Sequence, residues 1–231
     1  MTQRKVQYWV IPPGADAEFI ASMEEVLDTY EEPYHSDYPV LCMDEQPVQL
    51  HQEIRRPIPA TRRHARRVDY EYERCGTASV FMFTEPLSGW REVRVRDRRT
   101  KVDWAMEIKR LLTTRYRSAR KVILVCDHLN THTQGAFYET FPAEEARRLV
   151  RRIEFRRTPK HGSWLNIAEN ELSTMTRQCV SGRRFESVQR LRTETKAWSD
   201  PSNKKQRTVD WQFQVTDARI KLKSLYPKSK S

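Results

Sequence analysis

Cysteine is sparse and scattered. The four thiols, Cys42, Cys75, Cys126 and Cys179, stand far apart and form no C-x-x-C pair, which excludes a zinc ribbon and a disulfide framework. Cys42 and Cys126 lie inside apolar runs, where a reduced thiol behaves as a small hydrophobe. Long apolar runs are missing too. No stretch reaches the roughly 18 residues of a membrane helix, and the N-terminus lacks an apolar signal core. Internal repeats and long low-complexity segments are also absent. A reduced, cytoplasmic globular protein without a membrane partner is the expectation.

What is present is a folding chain with a large excess of positive charge. Apolar residues make up 38% of the 231, with six Trp, nine Tyr and eight Phe, enough for one sizeable core rather than disorder. The 42 Lys and Arg outnumber the 31 Asp and Glu, a net charge of +11. Arg dominates the excess, and its planar fork suits phosphate. A polyanion, nucleic acid first, is the expected partner.

Periodicity organises the chain. "VQYWV" (6–10) reads as a short strand, and Asp16 as the cap of a helix carrying Phe19, Ile20, Met23, Val26, Leu27 and Tyr30. "VLCMD" (40–44) and "KVILVCD" (121–127) read as strands buried on both faces, each ending in aspartate. Between them lie an extended arginine-rich stretch and three strand-like segments, "VDYEYER", "ASVFMFTEP" and "WREVRVRD". With turns at "CGT" and "PLSG", these form an antiparallel meander. Helices are expected over 101–116, around "AEEARRLVRR", after "HGSWLN" and over "FESVQRLRTETKAW"; "IEFRRTP" reads as a third central strand and "SDPSNKKQRT" as a polar linker. This order predicts an α/β fold, a mixed sheet flanked by helices.

Asp44 and Asp127 would emerge at one sheet edge if their strands are neighbours, the place where open α/β sheets bind ligands. Two close carboxylates repel unless a cation neutralises them, and oxygen-only ligation suits magnesium or manganese. A third carboxylate would complete a two-metal site for phosphodiester chemistry. In "HGSWLNIAENELSTM" (161–175), Glu169 and Glu171 border opposite sides of the apolar arc of a helix. Periodicity does not choose between them, and Asn166 to Glu169 also has capping-box spacing. Trp164 reads as a core residue before a base-stacking one. His128 and His132 have no Cys or carboxylate partner at zinc-site spacing.

"PVLCMDE", "LVCDHLNTH", "TPKHGSWLNIAENELS", "VDYEYERCGT" and "FTEPLSGWREVRV" together resemble bacterial insertion-sequence transposases, the insertion sequence 630 branch of the Tc/mariner superfamily. The resemblance runs from about residue 4 to residue 227. It implies a ribonuclease-H-like DDE domain with Asp44 on the first strand, Asp127 on the fourth, and Glu169, through the "LN-x-x-E" block, as catalytic metal ligands for two Mg²⁺ or Mn²⁺ ions. It implies DNA cleavage and strand transfer at element ends, with double-stranded DNA as partner, a homodimer, no nucleotide cofactor and a nucleoid-associated location. Arg55, Arg56, Arg62, Arg63, Arg66 and Arg67, with Lys160 and His161, are the expected DNA contacts. His128, Asn130, His132 and Asn166 are expected to support the ligands. The chain departs from the family in having His128 where Asn is common. It also has too few residues ahead of the first strand for the paired helix-turn-helix module of full-length members. Residues 1–38 are then a lead-in left from the linker after that module, 39–200 the catalytic domain, and 201–231 a linker, short helix and basic tail. The alternatives are an inactive remnant that only binds DNA or dimerises, and a ribonuclease-H-like nuclease.

Overall fold

The structure is a computed structural model, and it describes residues 16–227; the expected strand "VQYWV" lies outside them. Five strands form one sheet in the order β3-β2-β1-β4-β5. They are β1 (Val40–Glu53), β2 (Tyr72–Glu85), β3 (Trp90–Arg96), β4 (Val122–Cys126) and β5 (Ile153–Arg157). β1 pairs antiparallel with β2 and β2 with β3, while β1 with β4 and β4 with β5 are parallel. The mixed sheet flanked by helices is the predicted fold class.

Strand alternation divides the core in two. On one face Cys42, Val48, Val80, Met82, Ile123 and Val125 pack against α1 (Ala17–Glu31), α5 (Ile167–Met175), α6 (Val188–Lys204) and α7 (Val215–Lys221). On the other, Leu41, Met43, Phe81, Phe83, Leu124 and Cys126 pack against α2 (Lys101–Thr113), α3 (Gln134–Thr140) and α4 (Ala143–Val150). Asp16 caps α1 as expected, its Oδ1 accepting from Phe19 N at 3.0 Å.

Several expectations need correction. "CGT" is not a turn, because β2 runs straight through it. Pairing passes from Gln49↔Thr77 to His51↔Arg74, so Cys75 and Gly76 oppose Leu50 alone. This is a β-bulge, and the φ of +97° at Gly76 serves it rather than a hairpin. β1 does not end at Asp44 but continues to Glu53, with Pro47 tolerated because β4 pairs with β1 only as far as Cys42. β5 is an edge strand, not a central one. α3 had no counterpart in the sequence reading. The polar run from Ser199 is not linker at its start: α6 continues through Pro201 to Lys204, where Asn203 accepts from Arg91 N at 2.8 Å and donates to Arg91 O at 2.7 Å. That pairing along the outer edge of β3 holds the final helical turn against the cost of proline.

Candidate active site

The parallel pair β1–β4 delivers the two aspartates together. Its last register pair is Cys42↔Val125, and two residues further along each strand stand Asp44 and Asp127. Both share the parity of side chains that face α1 and α5. β4 stops there and β1 continues beside β2 alone, so the sheet opens a notch at the two acids.

α5 brings the third acid to the notch. Its N-cap is Asn166, 2% exposed, whose Oδ1 accepts from Ala168 N at 3.1 Å while its Nδ2 donates to Met43 O at 2.9 Å. One buried side chain thus starts the helix and ties it to the strand residue before Asp44. Tyr30 on α1 steadies the same entry, donating to Leu165 O at 2.8 Å. The two glutamates separate cleanly. Glu171 is neutralised by Arg91 of β3: Nη2 donates to Oε1 at 3.1 Å, and Nε makes a 3.0 Å ion-pair contact with Oε2. Glu169 has a buried Oε2 with no hydrogen-bond partner. No capping box forms at Asn166, so Glu169 has no capping role; its place in the first turn lets the helix dipole favour a negative charge there but supplies its buried oxygen with no partner.

The electrostatics shift the two aspartates in opposite directions. Burial raises the pKa of Asp44 to about 7, against the Glu45 N–H that hydrogen-bonds it, and repulsion from Asp127, Glu45 and Glu169 adds to the rise. Burial also raises Asp127, but the hydrogen bond from His132 and its charge outweigh this and leave the group below its usual range. The donor chemistry fits a hard divalent ion: oxygen atoms only, one of them buried and orphaned, with mutual repulsion for a cation to relieve. As placed, no three His, Cys, Asp or Glu side chains among the described residues surround a common point at ligation distance.

His132 is buried completely and lies between two carboxylates, with Nδ1 2.7 Å from Asp127 Oδ1 and Nε2 2.8 Å from Glu45 Oε2. Burial opposes its charge, yet the bonds to Asp127 and Glu45 lift its pKa to about 9. The expected support of the ligands by His132 takes a definite form: it bonds Asp127, five residues away, and Glu45 on another strand. Glu45 was missed, its signal being adjacency to Asp44. Arg157 was missed as well: it donates to Asp127 O at 2.8 Å and to His132 O, closing the loop from below.

A cleft of about 660 Å³ opens beside Asp127. His128, Lys160 and His161 line it with Phe19 and Ser22 of α1, and His161 takes a left-handed φ of +66° in the turn before α5. Asn130 is exposed in the same loop. The six arginines from Arg55 to Arg67 do not converge on the notch. They are exposed on an arm beyond β1 and β2, held by a bridge between Ile58 and Arg67. Trp164 is half-buried and packs against the core, its ring 5.6 Å from Phe213. No helix among the described residues is long and apolar enough to cross a membrane.

Comparison with known proteins bears on the fold and the family. No curated protein matches the chain. Among solved structures, the pre-cleavage Mos1 transpososome is similar with a TM-score of 0.57 at 13% identity, over 99% of this chain and 68% of that one. The Mos1 mariner paired end complex with Mn gives 0.55 at 14% identity, over 89% of this chain and 63% of that one. The Mos1 strand transfer complex gives 0.54 at 14%, over 89% and 63%. The chain therefore spans a little under two thirds of the length of the transposase in the Mn paired end complex, and at such identities the likeness is one of fold, the ribonuclease-H-like sheet. Residues 39–192, well over half of the chain, match the DDE superfamily endonucleases, and the chain belongs to that family.

Proposed function

We propose that this chain is the catalytic part of a DNA transposase of the insertion sequence 630 type, cutting and rejoining DNA at the ends of a mobile element. The observation that carries the reading is the unbalanced acid trio. Asp44, Asp127 and Glu169 arrive from three elements at one notch, Asp44 with its pKa raised to about 7 and Glu169 with an orphaned buried oxygen. These three would hold Mg²⁺ or Mn²⁺, whose chemistry there is to activate water and stabilise the leaving oxygen of a phosphodiester. The family resemblance of the ordered sequence blocks favours the bacterial branch, and the titles of the Mos1 complexes, which name Mn, Mg and paired ends, favour metal and DNA as partners. Two paired ends call for at least two copies of the chain.

The residues around the trio have separable work. Asn166 fixes α5, and with it Glu169, against β1. Lys160 and His161 stand where the cleft meets Asp127 and suit a phosphate oxygen. The exposed arginine arm offers salt-dependent hold on the DNA backbone. Water adds to phosphorus as the 3′-oxygen leaves and takes a proton; the freed 3′-hydroxyl then attacks a target phosphodiester, forming a new ester bond and losing its proton as the target strand's own 3′-oxygen leaves and takes one up.

The test is nicking of supercoiled plasmid at low salt in Mn²⁺ or Mg²⁺, parent against Asp127→Ala. Cutting by the parent alone supports the reading. Binding of DNA by both with cutting by neither would replace it with a DNA-binding remnant.

A further inference from the structure

The geometry points to Glu45 and His132 as a positioning strap that sets the orientation of the Asp127 carboxylate and takes no ligand position itself. This rests on the acid-trio reading; it adds Glu45 and gives His132 a specific task. The strap crosses the sheet. Asp44 shares the parity of the residues that face α5, whereas Glu45 shares that of Leu41 and Met43, which face α2 and α3. His132 lies on that far side too, its ring 5.5 Å from Trp104. From there it reaches Asp127 Oδ1 with one nitrogen and Glu45 Oε2 with the other, at 2.7 and 2.8 Å.

Three features assign positioning rather than ligation. Both ring nitrogens of His132 are engaged, so no lone pair is left for a metal. The side chains of His132 and Glu45 are 0% and 2% exposed, against 43% for Asp127. Asp127 Oδ1 also accepts from Leu129 N at 3.0 Å, so one oxygen is gripped from behind while the side chain still opens to the notch. Arg157 completes the brace by holding the backbone carbonyls at both ends, Asp127 O and His132 O. Such outer partners typically set metal affinity by about 10–100-fold.

The experiment measures Mn²⁺ binding by calorimetry and melting by circular dichroism, on the full chain, for the parent, Asp127→Ala, Glu45→Ala, Glu45→Asp and Glu45→Gln. Glu45→Asp keeps the charge but withdraws the oxygen by one methylene; Glu45→Gln removes the charge but keeps an oxygen that accepts from Nε2. The strap predicts that Glu45→Asp and Glu45→Ala weaken Mn²⁺ binding about 10-fold or more, while Glu45→Gln stays within about threefold of the parent. Glu45→Asp binding like the parent, or Glu45→Gln binding as poorly as Glu45→Ala, would overturn it. Should Glu45→Ala fail to fold, the Asp and Gln variants alone decide. If Asp127→Ala leaves Mn²⁺ binding intact, the acid-trio reading fails, and the strap with it. If Asp127→Ala weakens binding and Glu45→Asp does not, the strap alone fails.

Discussion

Glu169 and Glu171 sit two residues apart on one helix, and their removal should move stability in opposite directions. Glu171→Ala strands Arg91, whose side chain is only 5% exposed. Breaking a buried ion pair costs about 3–5 kcal/mol. Here the low end applies, about 3 kcal/mol, because Glu171 retains 17% exposure and Arg91 keeps a 3.1 Å bond to Arg207 O. For a chain of this size that lowers Tm by about 6–12 °C. Glu169→Ala removes a buried oxygen that has no partner and a charge that repels Asp44. An orphaned polar group costs about 1–3 kcal/mol, and lost aliphatic packing takes back part of that. The variant should therefore gain about 1 kcal/mol and melt about 2–4 °C higher. The assay is calorimetric melting of metal-free protein at neutral pH. A fall in Tm for Glu169→Ala comparable to that for Glu171→Ala would refute the reasoning, because Glu169 would then be a structural residue rather than a carboxylate held in reserve for a ligand.

Two further outcomes follow from particular contacts. Asn166→Ala loses a helix cap, about 1 kcal/mol, and orphans Met43 O, about 1–3 kcal/mol; urea unfolding should register a loss of about 2–4 kcal/mol, and a loss below about 1 kcal/mol would show that Asn166 does not pin α5 to β1. Burial pushes Glu107 up, but hydrogen bonds from Arg110 and Arg96 outweigh it and leave its pKa lowered, so its stabilising share is complete above the ordinary glutamate range and disappears as pH falls through the lower folded value. Melting curves taken from neutral down to about pH 3 should show a shallower acid loss for Glu107→Gln than for the parent; parallel curves would remove Glu107 from acid denaturation.

Much of this molecule is legible in its sequence because it follows local periodicity. The buried strands "VLCM" and "VILVC", the amphipathic α2 and the Asp16 cap each declare themselves within a few residues. Their juxtaposition supplies Asp44 and Asp127, but the third acid was not readable from residues alone. Glu169 and Glu171 border the same arc, and what separates them is Arg91, on a strand far back in the chain. The same limit explains the misreadings. Gly76 looks like a turn until β1 is laid beside it and the extra residue becomes a bulge. Pro201 looks like a helix stop until Asn203 is seen to pair with Arg91. The Glu45 partner of His132 is hidden from pattern because it lies 87 positions away. Pattern reports what a residue does with its neighbours in sequence; site chemistry here depends on neighbours made by folding.

The ties that assemble the acid edge share one property, span. Asn166 to Met43 joins residues 123 apart, Tyr30 to Leu165 135 apart, and His132 to Glu45 87 apart. Closing loops of that length costs entropy before any contact rewards it, so such pairings form after hairpins and helices. A half-folded chain can hold the β1–β2 ribbon and every helix and still have no acid edge. Whatever chemistry the three carboxylates perform is therefore withheld until the last crossings close, and the competence of the edge is itself a readout of completed folding.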